Sequence, residues 1–553
     1  MSRNVESHFG NIPTMNVKRS KFKRPCSHKL TANTGQIIPI YRDEVLPGDT
    51  VKMKLASLIR MTTPIDPVMD NAWADIYFFA IPRRLVWNHW REFMGENSSD
   101  PWTQETQYQV PITTAPKNGW NKNSIAHYMG ARMNTEDIFI DSCYLRAYAL
   151  TVNEWFRNEN LSEPLAISMG DATTAGSNGN DYVNDVECDG ACYQAVKYAD
   201  YFTRGLPSPQ KGPDVYLPMP VGLTVPVVGN GKTLGLTNGL DETGMQYATA
   251  YGFYGGGGTR IGEELPTADS NTNVPSSYHN TGIGVTEDPD TSGLIAKFEN
   301  IDAGATISEL RMAYGIQRLF ELDARGGTRY TELIRAHFNV TSPDARQQRP
   351  EYLGGKRIPI NMTEVTASTA ATGQPLGDTA GKSLTIDNDD MFIWSATEHS
   401  IILGLLVIRT EHTYQQGIDK ILTRRNRFDF YWPALASISE QAIKEREIFA
   451  QGTADDDDVF GYQEAWAEYR YSTNRVSGEL NSDYNTPLDS WHYGDDYAQA
   501  PVLSDEWVKE TDVNVKRTLA IQDQDQFICD FYFDQTWTRP MPIYSIPGLM
   551  GWY

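Results

Sequence analysis

The sequence predicts a mainly β protein, folded as an antiparallel sandwich whose last strand returns beside its first. Two observations lead to this prediction: the composition of the chain, and strand-like apolar patterns near both of its ends. Glycine (44 residues), proline (30) and aromatic residues (11%) are abundant, whereas only 22% of residues are charged. Such a balance is typical of strands, turns and long ordered loops. The length of 553 residues is compatible with one large core that carries insertions.

Three segments have the patterns of strands. Residues 51–57 (VKMKLAS) alternate apolar side chains with lysine, as a half-buried strand does, and LPGD at 46–49 supplies a turn before them. Residues 75–82 (DIYFFAIP) form a continuous apolar run that fits a strand buried on both faces. Residues 526–535 (QFICDFYFDQ) alternate again, which places a strand near the end of the chain.

Helices are expected to be fewer. Thr306 and Glu309 have the spacing of a capping box, and apolar residues then recur with helical period, so a helix is predicted from 306 to about Asp323. Two glycines at 326 and 327 should end it. A second short helix is predicted through Tyr330 to His337, followed by an irregular segment rich in arginine.

Charge is distributed unevenly along the chain. The net charge is −23, yet residues 1–29 contain seven basic residues against one acidic residue, or 7 − 1 = +6, which leaves −29 for the rest. A basic arm on an acidic body is typical of a protein whose one end contacts nucleic acid, although a solvated basic tail would have the same composition. The candidate nucleic-acid-binding residues are Arg3, Lys18, Arg19, Lys21, Lys23, Arg24 and Lys29.

The segment between about 168 and 304 has a different composition, rich in Gly, Asn, Thr and Ser. From 171 to 302 it contains 17 acidic and 6 basic residues, so its charge is about −11. Its aromatic content exceeds that of disordered segments, which favours a structured insertion on the surface.

Cysteine usage and hydropathy indicate a soluble protein made in a reducing cytoplasm. The five cysteines are too few, and odd in number, for a disulfide framework. The N-terminus lacks the apolar core of a signal peptide, and the strongest apolar run, at 401–408, is far shorter than the roughly 20 residues of a membrane span. No membrane association is expected.

The search for catalytic, cofactor and metal motifs gives no candidate site. GNGKT at 229–233 and AGKS at 380–383 lack the leading glycine of a phosphate-binding loop, since Pro226 and Leu376 occupy that position. Cys188 and Cys192 have no second ligand pair, so two thiols in a loop are favoured over a metal site. The acidic run at 454–458 lacks the glycine and distal glutamate of a calcium loop, which favours a solvated turn.

Several long segments resemble the major capsid proteins of the Microviridae, in particular the gokushovirus branch of small single-stranded DNA bacteriophages. The resemblance is carried by LDARGGTRY (322–330) and SPDARQQRPEYLGG (342–355), and by four further segments. Those are IPIYRDEVLPGDT (38–50), YFFAIPRRLVW (77–87), LRAYALTVNEWFRNENL (145–161) and PVLSDEW (501–507). These segments are spread over the whole chain, and the segment at 168–304 resembles the capsid proteins least.

The resemblance implies an eight-stranded antiparallel jelly roll with long loop insertions and a few short helices, and no enzymatic activity or cofactor. Copies of such a chain would assemble into a T=1 icosahedral shell around circular single-stranded DNA, in a virion formed in the cytoplasm of a bacterial host. Further partners implied are a small basic DNA-binding virion protein and a pilot protein. The block at 168–304 would form threefold protrusions that meet a bacterial surface receptor.

These expectations divide the chain into four regions. Residues 1–35 would be a basic arm facing the shell interior, 36–167 the first part of the jelly roll, and 168–304 the surface insertion. Residues 305–553 would supply a helix hairpin, loops between subunits and the remaining strands. Arg325, Arg329, Arg346 and Arg349 are candidates for contacts between subunits, or equally for bracing loops within one chain.

Two other function classes are compatible with the composition. A receptor-binding or carbohydrate-binding β protein that forms no shell would explain the aromatic residues and acidic loops, but not the basic arm. A glycoside hydrolase would need only a pair of carboxylates, which a chain with 71 acidic residues can always supply. Electron microscopy separates the three, since only a capsid protein forms closed particles of uniform size.

Overall fold

The structure is a computed structural model of the whole chain. It describes residues 18–96, 108–188, 190–213, 215, 307–327, 329–340, 348–369 and 376–544, together with six short strands between 227 and 296. Nine strands build its two main sheets. They are β1 (Ser20–Lys23), β2 (Cys26–Ala32), β3 (Ile37–Val45), β4 (Thr50–Met61), β5 (Ala72–Pro82), β6 (Glu351–Pro359), β7 (Thr385–Ser395), β8 (Ser400–Thr410) and β9 (Phe527–Arg539).

The two sheets have the strand order of a jelly roll. In the first sheet β9 pairs with β4, β4 pairs with β7, and β1 and β2 together occupy the edge beside β9. The second sheet has the order β6, β5, β8, β3. Every pairing is antiparallel, and β1 with β2 counts as one strand position, so eight positions result. The predicted jelly roll is therefore confirmed, and the last strand of the chain lies beside the first.

The core lies between the sheets and follows from the patterns of the strands. In β4 the apolar residues Val51, Met53 and Leu55 are buried while the lysines between them are not. In β9 Phe531 and Phe533 are buried in the same way. Strands β5 and β8 are buried along nearly their whole length, as expected of continuous apolar runs. Full burial of one phenylalanine side chain stabilises the fold by about 1.5–3 kcal/mol.

Three longer helices accompany the sheets: α1 (Ser142–Trp155), α2 (Ile307–Gly326) and α3 (Tyr330–Phe338). The pair α2 and α3 confirms the predicted helix hairpin, and Gly327 joins the two with a φ of +93°, a conformation that favours glycine. Helix α1 was not predicted from its periodicity. Residues on most sides of α1 are buried, so its apolar residues do not form the single stripe by which a surface helix is recognised in a sequence.

Shorter elements fill the loops. A small sheet joins Ile112–Thr114, Phe139–Asp141 and Thr174–Ala175. Two hairpins are Met362–Thr366 with Thr379–Ser383, and Gln441–Lys444 with Val459–Gln463. One-turn α-helices are Trp90–Phe93, Ile125–Tyr128, Glu445–Ile448, Asp505–Val508 and Val513–Arg517. The 3₁₀ turns are Arg83–Leu85, Lys420–Leu422, Arg427–Asp429, Pro433–Leu435, Ala454–Asp457, Ala467–Tyr469, Gly478–Leu480 and Asp489–Trp491.

The chain separates into two compact units, residues 1–212 with 320–553, and residues 213–319. The smaller unit contains three short antiparallel pairs: Val227–Gly229 with Leu294–Ala296, Leu236–Thr237 with Gly284–Val285, and Phe253–Tyr254 with Arg260–Ile261. The separate unit thus begins later than the insertion predicted at 168. Residues Val186, Cys192 and Tyr193 are buried in the main core, because apolar side chains here pack against the sandwich instead of facing outward.

A second, smaller core lies where residues 201–202 pack against the long connection between β8 and β9. Its buried residues are Tyr201, Phe202, Tyr414, Ile443, Ile448, Phe460 and Ala467. No helix in the described part of the chain is both long enough and apolar enough to cross a bilayer.

Candidate functional site: basic edge and arginine contacts

Part of the predicted basic arm is a sheet edge. Strand β1 pairs with the end of β9, and its side chains alternate so that Phe22 packs against the core while Lys21 and Lys23 are exposed. Lys18 and Arg19 precede the strand and are exposed as well. Within the described residues none of these four side chains has a carboxylate at salt-bridge distance, so all four charges face solvent.

The last two basic residues of the arm have partners within the chain. The Arg24 guanidinium lies 2.8 Å from a carboxylate oxygen of Asp43 and stacks over the ring of Trp537, 5.1 Å from its centroid. The Lys29 ammonium is 3.4 Å from Asp530. The Arg24 pair links the first sheet to β3 of the second sheet, and the Lys29 pair links β2 to β9 at the surface. Sequence reasoning did not separate these two residues from the rest of the arm. Arg3 lies outside the described residues.

An open cavity of about 660 Å³ lies next to this edge. Its lining includes Arg24, His28, Arg42 and Tyr144. The guanidinium of Arg42 donates to the backbone carbonyl of Met129 and lies over the ring of Tyr144, 5.8 Å from its centroid. The cavity therefore presents guanidinium groups and an aromatic ring beside the exposed lysines.

Two of the four predicted interface arginines form ion pairs within their own chain. Arg329 is mostly buried at the start of α3, donates to the backbone carbonyl of Asn153 at 2.7 Å, and pairs with Glu159 and Glu332. Arg325, near the end of α2, pairs with the buried carboxylate of Glu440. Both ion pairs lie within one chain, and a role of these arginines between subunits stays a prediction.

Arg349 has an aromatic contact instead. Its guanidinium lies over the ring of Trp155, at the end of α1, 4.9 Å from the ring centroid. The indole nitrogen of Trp155 donates to the backbone carbonyl of Pro350 at 3.1 Å, so the segment before β6 is fastened to α1. Arg346 lies outside the described residues.

Sequence reasoning missed a buried charge network at the end of β8. The His412 ring donates from Nδ1 to Asp495 and from Nε2 to Glu510, both at 2.9 Å. Burial alone would lower the pKa of His412, but the carboxylates of Glu510 and Asp495 raise it to about 10. Burial would likewise raise the pKa of Asp495, yet the imidazolium and the Lys197 ammonium hold it below its usual range. The nine histidines are dispersed in the sequence, so no local sequence pattern indicates this charge network.

A second buried ion-pair cluster connects β5, β6 and β8. Asp75 accepts from Arg357 at 2.8 Å and from Arg409 at 2.6 Å, and the hydroxyl of Tyr198 donates to it at 2.8 Å. Burial would raise the pKa of Asp75, but the two guanidinium groups and the hydroxyl lower it. The sequence contains one sign of this cluster. Asp75 is the first residue of the otherwise apolar run at 75–82, and a carboxylate that is buried there needs a positively charged partner.

Two motifs that resemble ligand sites have structural roles. AGKS lies inside the strand Thr379–Ser383, which pairs with Met362–Thr366, instead of in a loop before a helix. In the acidic turn, Asp456 accepts backbone N–H groups of Gln451 and Gly452, and Asp457 pairs with Lys444 and Arg446. The described residues contain no cluster of three or more His, Cys, Asp or Glu side chains that could hold a metal ion.

Comparison with known proteins gives matches over nearly the whole chain. The model of the family described as "Capsid protein (F protein)" matches residues 10–549. Capsid protein VP1 of Spiroplasma virus 4 is 40% identical over 545 residues, or 96% of each chain. Capsid protein VP1 of Bdellovibrio phage phiMH2K is 37% identical and covers 100% of this chain and 99% of its own. Capsid protein VP1 of Chlamydia phage 1 is 35% identical and covers 99% and 98%.

Proposed function

Because this chain belongs to the capsid protein (F protein) family, we propose that it is the subunit of a T=1 icosahedral shell that encloses a circular single-stranded DNA genome. The family match over residues 10–549 carries the proposal. The predicted resemblance to Microviridae capsid proteins is confirmed. The chain is a structural component of a virion and not an enzyme, since its relatives are named capsid proteins.

Particle formation tests the shell. The purified chain is examined by sedimentation velocity and negative-stain microscopy, with and without circular single-stranded DNA. Closed particles of one diameter are expected. A protein that stays monomeric under all conditions would instead favour the alternative, a β-rich receptor-binding or carbohydrate-binding protein.

We place the genome contact of this chain at the basic edge formed by residues 18–23. Four cations there lack carboxylate partners among the described residues, whereas Arg24 and Lys29 are neutralised by Asp43 and Asp530. Each phosphate that a lysine or arginine contacts releases counterions, so the contact weakens as salt concentration rises. In this proposal the edge faces the shell interior, and the cavity lined by Arg42 and Tyr144 lies beside the path of the strand.

We assign host attachment to the smaller unit, residues 213–319. A unit whose contacts are mostly internal can be removed at little cost in loop-closure entropy, which grows slowly with loop length. Replacing residues 216–306 by a Gly/Ser linker should leave a jelly roll that still assembles, in particles that fail to adsorb to host cells. Normal adsorption of these particles would remove the receptor role, and an insoluble product would show that the unit supports the core.

The remaining partners follow from the charge of the chain. A chain with net charge −23 repels a polyanionic genome, so the four exposed cations of the basic edge leave most phosphates to other components. We therefore include the small basic DNA-binding virion protein and the pilot protein as partners. Both should copurify with particles from infected cells, and disruption in high salt should release the basic protein first.

A further inference from the structure

The connection between β8 and β9 exposes a dense group of large apolar side chains. They occur in and beside the sequence KILTRRNRFDFYW at 420–432. Their exposed fractions lie between 41% and 75%, with Leu422 at 75% and Phe428 at 71%. We call this group the aromatic patch; its members are Ile421, Leu422, Phe428, Phe430, Tyr431, Trp432 and Tyr469.

Contacts within the chain hold the four aromatic residues Phe430, Tyr431, Trp432 and Tyr469 in place. The guanidinium of Arg424 lies over the rings of Phe430 and Tyr469, at 5.4 and 4.6 Å from their centroids. The Trp432 indole donates to the backbone carbonyl of Arg427 at 3.0 Å. Tyr431 packs edge-on against Tyr469. A surface that is already ordered loses little conformational entropy when a partner covers it.

The exposed area of the patch is that of a protein interface. At roughly 200 Å² for a large side chain, the exposed fractions add up to on the order of 800 Å². One partner in a standard protein–protein interface buries about this area. Seven large apolar side chains exposed in and beside one short segment are unusual for a monomeric protein.

The side chains of the patch favour a protein partner over a nucleic acid. Three nearby cations are neutralised within the chain: Arg424 pairs with Glu468 at 2.7 Å, and Lys444 and Arg446 share Asp457. Lys420, Arg425 and Arg427 have no carboxylate at salt-bridge distance among the described residues. A protein partner can bury aliphatic side chains such as Leu422 and can also offer carboxylates to these cations.

We propose that the aromatic patch is a contact between copies of this chain, a proposal that rests on the proposed shell function. A second copy is the partner that fits, because it is acidic overall, with a net charge of −23, and can offer a carboxylate to Arg425. Covering the patch in this way removes an apolar surface that an isolated subunit leaves in water. The contact joins the patch to a different surface of the neighbouring copy or to the same patch across a twofold axis.

The test replaces the two most exposed members together, Leu422→Ser with Phe428→Ser. Both side chains are largely solvent-exposed, so the subunit should fold normally, as judged by circular dichroism. A matched control, Met69→Ser with Val502→Ser, removes two side chains that are 80% and 73% exposed and lie outside the patch. Each truncation at an interface should weaken association about tenfold, so the patch variant should form no particles at concentrations where the control does.

Sedimentation velocity over a range of protein concentrations separates the outcomes. Reduced self-association of the patch variant, with an unchanged control, supports the contact whether the wild type forms shells or only small oligomers. Equal self-association of all three proteins overturns it, and normal shells from the patch variant do so as well. If the patch variant assembles but no longer retains an oligo-dT strand in filter binding, the patch is a nucleic-acid surface and the proposal is wrong. Absence of shells in the wild type alone would count against the shell function.

Discussion

Replacing His412 by glutamine should destabilise the subunit by about 4 kcal/mol at pH 7. The imidazolium lies between two buried carboxylates, and Glu510 has no exposed side-chain area. Removing one partner of such a buried pair costs about 3–5 kcal/mol. The raised pKa of His412 has the same sign, because it means that the folded chain stabilises the imidazolium.

The pH dependence of this loss has a definite sign. The pKa of His412 is higher in the folded chain, so the stabilisation is fully present below about pH 6.5 and is lost as the pH rises through about 10. The difference between wild type and His412→Gln should therefore shrink between pH 7 and pH 10. Urea unfolding of unassembled subunits, followed by tryptophan fluorescence, measures this difference at each pH.

A matched substitution controls for the loss of a histidine. His89 also pairs with a carboxylate, Asp171 at 2.9 Å, but its side chain is 36% exposed. His89→Gln should change the free energy of unfolding by only about 0–1 kcal/mol, because exposed ion pairs contribute little. A loss below about 1 kcal/mol for His412→Gln, or a loss that stays constant from pH 7 to pH 10, would refute the reasoning.

Three further predictions concern other ion pairs and the basic edge. Changing the four cations at 18–23 to glutamine should reduce the slope of log affinity against log salt by roughly 0.7 per lost phosphate contact; filter binding of an oligo-dT strand measures it, and an unchanged slope would contradict the genome contact. Arg329→Ala should lower the free energy of unfolding by about 2–3 kcal/mol, because Glu159 loses its cation; urea unfolding measures it, and intact stability would show that Arg329 acts elsewhere. Asp75→Asn should destabilise by about 3 kcal/mol at pH 7, a deficit that should vanish in acid as the wild-type carboxylate is protonated.

The strand framework could be predicted because it depends on short-range patterns. The alternation in β4 and β9 and the continuous apolar run of β5 each reflect the period of a strand and the burial of its faces. The hairpin of α2 and α3 was visible from its apolar period and from the glycines between the helices. The family resemblance rests on long segments such as 38–50 and 145–161, which need no structure to be identified.

Helix α1 and the limits of the insertion could not be predicted in this way. Most of α1 is buried, so neither a polar stripe nor a strand period marks it. The block at 168–212 has the polar texture of a loop, yet Tyr193 and Ala195 are buried in the main core. Burial of such a segment depends on what the rest of the chain places over it, and that information is spread over hundreds of residues.

The sequence by itself determined the fold class, the capsid family and the uneven distribution of charge. Only the tertiary structure decided which charges are available to a partner. Arg24 and Arg329 look like exposed cations in the sequence, but Asp43 and Glu159, distant along the chain, neutralise them. Likewise, the sequence KILTRRNRFDFYW could have been core or surface. The physical reason is that neutralisation and burial depend on contacts between residues far apart in sequence, whereas periodicity and composition record only near neighbours.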